Sequence, residues 1–340
     1  MNATDKKYTQ YALTREMMEL ANVVRQFDPS ITAGVAKEIA SVGRLILTGE
    51  GSSRIFPAKN AIRKAMTWGL PLHVATEGSH QAAMYDLSKF AVFAASNSGR
   101  TREVILLLQK LQAQGHPYRF GLTANTGTVL ENHTRKTFVL GCGWEQAVAA
   151  TKSVAEQALI YQSIMSHIAG RDMKKDLQGL DQKALAALTM PIAPEIIDAA
   201  VNARTVYFAG LNDGVAEELT LKTNEITRRK SDFLEGTYAV HGIEEVMDAG
   251  DVLFVIEPIE SELPKFKETL IDGVGMKVIT ISTKKTILPS LVVPEAGELQ
   301  SLVNIAAGWN LLVEIGLALG VNLDKAARAR KVGNELTTAG

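Results

Sequence analysis

Short continuous apolar runs punctuate the chain: RLILTG at 44–49, FAVFAA at 90–95, TVYFAG at 205–210 and DVLFVI at 251–256. Each is followed by a polar loop and then by apolar residues at helical spacing. Runs that are apolar at every position fit strands covered on both faces, as in a parallel sheet with βαβ crossovers. The pattern also repeats. Residues 44–66 align without a gap on residues 205–227, an offset of 161. In the same register FAVFAASNSGRT (90–101) falls on DVLFVIEPIESE (251–262), and His80 falls on His241. After a shift of about two residues FGLTANTG (120–127) matches ITISTKKT (279–286). Two copies of one α/β unit account for this. A helical lead-in is expected over residues 1–32, a first domain over 33–172 and a second over 190–335, because RDMKKDLQGL and MPIAP interrupt the apolar periodicity between the copies.

Composition narrows the classes. The 37 acidic and 36 basic residues nearly cancel, so no global field favours nucleic acid or an anionic membrane, and an anion must be held locally. Residues before 32 carry neither a helix-turn-helix pattern nor a basic run, which argues against a DNA-binding regulator. Cys142 is the only cysteine, so neither an intramolecular disulfide nor a Cys-rich metal site is expected. The six histidines are scattered and suggest no metal. The N-terminal stretch has no apolar core of signal-peptide length, and no window approaches the roughly 18 uninterrupted apolar residues of a spanning helix. A cytoplasmic protein is the expectation.

In open α/β sheets, ligands bind outside the carboxyl ends of the strands, where loops meet helix N-termini. The loop Ser96-Asn97-Ser98-Gly99-Arg100-Thr101 stands at such a place. It combines hydroxyls, a glycine that lets backbone come close, and the unpaired N–H groups of a helix start, which together suit a phosphate. Gly51, Ser52 and Ser53, after the preceding apolar run, would add donors. A plain capped turn has the same composition. The second copy weighs against that alternative: its equivalent loop contains Glu257 and Glu260, which would repel a phosphate. One copy is built for an anion and the other is not.

Residues 219–251 hold candidate proton-transfer groups. Lys222 and Glu225 lie i and i+3 on one helical face, and His241 follows in a loop. Each has an ordinary alternative: a surface ion pair for Lys222 and Glu225, a solvated face for Arg228, Arg229 and Lys230, a structural role for His241. In WEQAVAATKSVAEQ (144–157), Glu145 precedes a stretch of small residues and helical periodicity, and Thr151, Lys152 and Gln157 are either decoration or ligand-facing. The tail NLDKAARARKV carries Lys325 and Lys331, which spacing alone reads as solvated.

Taken together, Gly51-Ser52-Ser53, the Ser-x-Ser-Gly-x-Thr loop at 96–101, Glu145-x-x-Val148-Ala149-x-Thr151-Lys152 and Asp324-Lys325 with Lys331 six positions on are similar to the sugar isomerase (SIS) domain family. The chain resembles in particular the isomerase half of glucosamine-6-phosphate synthases and the SIS-type glucosamine-6-phosphate deaminases, over about residues 10–335. The resemblance implies two tandem SIS domains, each an αβα sandwich around a five-stranded parallel sheet, in a homodimer with sites shared between subunits. It implies a hexose 6-phosphate ligand and no metal or cofactor. Phosphate contacts map onto Ser52, Ser53, Ser96, Asn97, Ser98 and Thr101, and further substrate contacts onto Gly51, Glu145, Val148 and Ala149. The proton-shuttling glutamate maps onto Glu225, its companion lysine onto Lys222, the ring-opening histidine of the partner subunit onto His241, and a carbonyl-facing tail lysine onto Lys331. Around the histidine the family usually has Gly-Glu-x-x-His-Gly-Pro; here the stretch is Thr237 to Ile243, with Tyr238 and Ile243 in place of the glutamate and proline. A glutamine-hydrolysing domain, with its cysteine nucleophile at the start of the chain, is not expected. The implied activity is aldose–ketose isomerisation or deamination of an (amino)hexose 6-phosphate such as glucosamine 6-phosphate or fructose 6-phosphate. A fructosamine-6-phosphate deglycase and a non-catalytic sugar-phosphate sensor are the alternatives.

Overall fold

The computed structural model describes residues 1–331 and 333–336. Ten strands form two five-stranded sheets in which every pairing is parallel. The first contains β1 (Arg44–Gly49), β2 (His73–Gly78), β3 (Ala91–Ala95), β4 (Arg119–Thr123) and β5 (Lys136–Val139), in the order β2-β1-β3-β4-β5. The second contains β6 (Val206–Gly210), β7 (Ser231–Glu235), β8 (Val252–Ile256), β9 (Lys277–Ser282) and β10 (Ser290–Val292), in the order β10-β9-β8-β6-β7. Exchanging β1–β5 for β6–β10 turns one order into the other, so the repeat seen in sequence is a repeat of topology. The ladders confirm its register: β3 and β8 correspond at the offset of 161, while Val92 pairs with Arg119 and Leu253 with Val278, the two-residue shift expected between the copies.

The central strands are apolar for the reason inferred. All five residues of β3 and all five of β8 are buried, because helices cover both faces. In the first-sheet unit the rings of Phe120, Phe138 and Tyr161 gather round Phe93, with centroids 6.1, 5.7 and 5.0 Å away. Helix Lys152–Ala169, buried along its first fifteen residues, packs against helix Phe56–Thr67. In the second-sheet unit helix Gln300–Ala318 plays the corresponding part and approaches helix Val215–Thr227 so closely that a Cβ at Gly308 would overlap the side chain of Leu219. Residues 297–318 are the one helical stretch among the described residues long and apolar enough to cross a membrane, and most of it is buried inside the protein.

The compact units are discontinuous in sequence. One comprises residues 1–22, 146–149 and 176–327; the other comprises 23–145, 150–175 and the tail from Arg328. This differs from the contiguous division expected at both ends of the chain. The first helices go with the second sheet because the Asp324 carboxylate accepts the N–H groups of Ala12 and Leu13 at 2.9 and 2.8 Å, capping helix Ala12–Met18. The tail goes with the first sheet because Thr101 and Glu335 form an antiparallel bridge.

Candidate functional site at the carboxyl end of the first sheet

In the strand order β2-β1-β3-β4-β5 the chain direction of the windings reverses between β1 and β3, and the crevice above that switch point is where such sheets bind ligands. Both expected anion segments emerge there. Gly51–Ser53 forms a single 3-10 turn after β1. Ser96–Thr101 leads from β3 into helix Arg102–Ala113. Its hydroxyls converge: Ser96 Oγ lies 2.8 Å from Thr101 Oγ1 and 3.4 Å from Ser98 Oγ. Ser96 Oγ accepts the Thr101 N–H at 3.3 Å, and Ser98 Oγ accepts that of Arg100 at 3.2 Å. Gly99 sits at φ 63°, and a Cβ there would overlap the side chain of Thr128. Thr128 cannot retreat freely, because it forms a capping box with Glu131. The glycine is therefore demanded twice, by backbone sign and by space.

The neighbouring loop braces this cradle. The Asn97 amide donates to Ser153 Oγ at 2.7 Å, and the Ser153 hydroxyl in turn donates to the Glu145 carboxylate. Glu145, 2% exposed, also accepts the Thr151 N–H at 2.7 Å and its hydroxyl at 2.9 Å. Its carboxylate thus organises the entry to helix Lys152–Ala169. Gln157, buried on that helix, donates to the Ser53 carbonyl at 2.6 Å and so fixes the first anion segment from beneath. Val148 and Ala149 fall in the second-sheet unit, where the buried Glu16 carboxylate accepts the N–H groups of Gln146 and, at 3.3 Å, Ala147.

The second sheet's switch point, between β6 and β8, is acidic as its sequence required. Glu257 is a non-glycine residue at φ 46° whose N–H donates to the Ile281 carbonyl at 2.9 Å, and Glu260 pairs with Lys284 at 2.8 Å.

In that same unit Lys222 and Glu225 do come together, and not as a surface pair. Lys222 is fully buried, with its ammonium 2.7 Å from Glu225 and 3.2 Å from Glu218. Burial by itself would favour the neutral amine; Glu225 and Glu218 outweigh it and raise the lysine pKa, so Lys222 stays an ammonium across the working range. Glu218, fully buried, is the residue that sequence reasoning missed; its i, i+4 spacing to Lys222 was the available signal. The Glu225 side chain keeps 27% exposure, so it alone of the three reaches outward. Arg228 and Arg229 are not a merely solvated face: Arg228 donates to the Lys325 carbonyl at 2.6 Å, and Arg229 donates to that of Val201.

His241 stands exposed after a 3-10 turn at Tyr238–Val240 and is not brought into the Glu218–Lys222–Glu225 group. Gly242 follows at φ 104°, its N–H donating to Glu244 at 2.6 Å, which turns the chain ahead of Ile243. Lys331 is half-buried in the tail, its Nζ 5.5 Å from the centroid of the Trp144 ring. Beyond it the tail pairs with the start of helix Arg102–Ala113, with Arg102 N–H donating to the Asn334 carbonyl at 3.0 Å and Leu336 N–H to that of Arg100 at 2.9 Å. Among the described residues no group of three or more His, Cys, Asp or Glu side chains is arranged to hold a metal ion.

No protein-family model matches the chain. In sequence it is 25% identical over 316 residues to the glutamine–fructose-6-phosphate aminotransferase (isomerizing) of Bacillus subtilis, which covers 87% of this chain and 52% of the relative. The chain therefore spans about half the length of the curated relative it matches. In structure it superposes on tagatose-6-phosphate ketose/aldose isomerase from Escherichia coli with a TM-score of 0.78 at 16% identity, covering 96% of this chain and 98% of the other. It superposes on glucosamine-6-phosphate deaminase from Thermotoga maritima with a TM-score of 0.73 at 18% identity, covering 96% and 99%. The chain has the two-sheet fold of the phosphosugar isomerases, and its sequence is similar to the isomerizing aminotransferases over that same architecture.

Proposed function

We propose that the protein binds a hexose 6-phosphate on the loop at 96–101 and transfers a proton between neighbouring sugar carbons, as an aldose–ketose isomerase or an amino-sugar-phosphate deaminase. The observation that carries this reading is the asymmetry of the switch points. One presents Ser96, Ser98 and Thr101 hydroxyls within 3.4 Å of a neighbour at a helix start, and the other presents Glu257 and Glu260. In this reading Ser52, Ser53 and Asn97 complete the phosphate contacts, with Gly51, Glu145, Val148 and Ala149 lining or supporting the sugar's surroundings. Glu225 is the proton shuttle, because it is the exposed member of a group whose buried ammonium, 2.7 Å away, orients its carboxylate. Lys331 faces the opened sugar's carbonyl. His241, exposed on its turn, is supplied to the site of a second copy in a homodimer. The ligand is a small phosphorylated sugar, without nucleic acid or membrane, and the setting is the cytoplasm. No resident metal or cofactor enters this scheme.

The test is to incubate the protein with glucosamine, fructose and fructosamine 6-phosphates while following sugar interconversion, ammonia and released amino acid. Turnover is expected with at least one of them, and Glu225→Gln is expected to lower it by about 10²- to 10⁴-fold with substrate binding retained. Undiminished turnover in Glu225→Gln removes the assignment of the shuttle. Release of an amino acid in place of ammonia identifies a deglycase, and tight binding without turnover identifies a sensor. For the phosphate loop, Ser98→Ala is expected to weaken binding of the phosphorylated sugar by about tenfold or more, since a hydrogen bond to a charged group is worth about 1.5–3 kcal/mol. Equal affinity for free and phosphorylated sugar contradicts the loop's role.

A further inference from the structure

The tail that carries Lys331 is fastened to the first-sheet unit twice. One fastening is backbone: Asn334 and Leu336 pair with Arg102 and Arg100, and Leu336 packs on the apolar cluster of Ala94, Ile105, Leu108 and Leu130. The other is by side chains: the Asn334 amide donates to the Glu103 carboxylate at 2.6 Å. The ammonium of Lys331 lies over the indole of Trp144, 5.5 Å from its centroid, inside the roughly 6 Å over which a cation is attracted by an aromatic face.

We propose that Trp144 is a positioning residue, whose ring holds the ammonium of Lys331 at the carboxyl end of the first sheet. The ring is 40% exposed, so one of its faces is open to a cation. Its backbone, by contrast, is held on both sides. The buried Glu156 carboxylate accepts the N–H groups of Gly141 and Cys142 at 2.7 and 2.8 Å, just before Trp144. Glu145, just after it, is locked by Thr151 and Ser153, and Ser153 takes the amide of Asn97 from the anion loop. A rigid platform is therefore tied to the same loop to which the tail's backbone is paired.

The inference rests on the reading of Lys331 as the sugar-facing lysine, and its test keeps the two apart. Trace labelling of lysines with acetic anhydride, quantified residue by residue by mass spectrometry, reports the Lys331 environment without any reference to activity. In Trp144→Leu, Lys331 is expected to label about two- to fivefold faster than in the native protein, the range that follows from a partly exposed cation–π contact. In Trp144→Phe most of the native rate is expected to return, and Lys284, on the second sheet's loop, serves as an unchanged internal standard. With glucosamine 6-phosphate or whichever sugar phosphate is turned over, Trp144→Leu is expected to lower kcat with a smaller change in KM, again recovered by Trp144→Phe. Identical labelling of Lys331 in the Leu variant and the native protein overturns the proposal, whatever the kinetics. Lys331→Met tests the other reading: full turnover there removes Lys331 from the reaction while leaving the labelling result to decide on Trp144.

Discussion

Lys222 shows how much a single residue's setting matters. By spacing, it belongs to an ordinary i, i+3 ion pair on a helix surface, worth little. By burial, it is a fully enclosed ammonium between Glu218 and Glu225. A buried ion whose partner is deleted leaves an uncompensated charge, and such deletions cost about 3–5 kcal/mol. Lys222→Met is therefore expected to destabilise the second-sheet unit by about that amount, because the Glu218 and Glu225 carboxylates lose the buried ammonium between them. Chemical denaturation checks this, and a loss below about 1 kcal/mol would return the pair to the surface class. Because the lysine pKa is raised, its stabilising charge is present at and below neutrality and is lost only as pH rises through the elevated value. Stability measurements from slightly acid to slightly alkaline pH are thus expected to show no Lys222 titration.

Among the elements, the loop between β3 and helix Arg102–Ala113 is the most constrained piece of the site. Gly99 has a positive φ and no room for a Cβ beside Thr128. Gly99→Ala is expected to cost about 1–3 kcal/mol of stability through backbone strain and overlap. It is also expected to weaken phosphate-bearing ligands more than it weakens the fold, because the hydroxyls of Ser96, Ser98 and Thr101 share one short loop. Comparing the change in Tm with the change in affinity for a sugar phosphate separates the two effects. A variant that binds as the native protein does would show that the loop adapts. The periodicity of the neighbouring elements foretold this loop's place, but not its bracing. Ser153 reaches it from helix Lys152–Ala169, more than fifty residues away in sequence, and Gln157 on the same helix holds the Gly51–Ser53 turn; nothing in their spacing marks them as supports.

For the molecule as a whole, the two ends of the chain decide which unit they join through long-range polar contacts. Glu314 accepts the Tyr8 hydroxyl at 2.6 Å and the Lys7 ammonium at 2.9 Å, and lies 3.3 Å from the Met1 amine. Burial works against its ionisation, but these partners prevail and hold its carboxyl below the ordinary range. A depressed carboxyl stabilises the fold above its unfolded-state value and loses that contribution as pH falls through the folded one. Glu314→Gln is therefore expected to cost about 1–2 kcal/mol near neutrality and progressively less below about pH 4. Thermal unfolding of both proteins across that range measures the gap, and a gap independent of pH would assign its origin to packing alone.

Two α/β copies, their offset, the strands β3 and β8, and the contrast between a hydroxyl-rich and an acidic loop were all legible in the residues. These follow from local rules: a strand covered on both faces is apolar throughout, and a loop entering a helix gathers hydroxyls and a glycine where its turn needs them. Spacing also marked Lys222 and Glu225 as neighbours. Tertiary structure alone decided that they are enclosed with Glu218, that Asp324 caps a helix more than three hundred residues earlier, and that the tail pairs with Arg100 and Arg102 while Lys331 stands over Trp144. Periodicity reports which face of an element is covered. It does not report what covers it, because the partners are brought together by chain closure over distances that no local pattern spans.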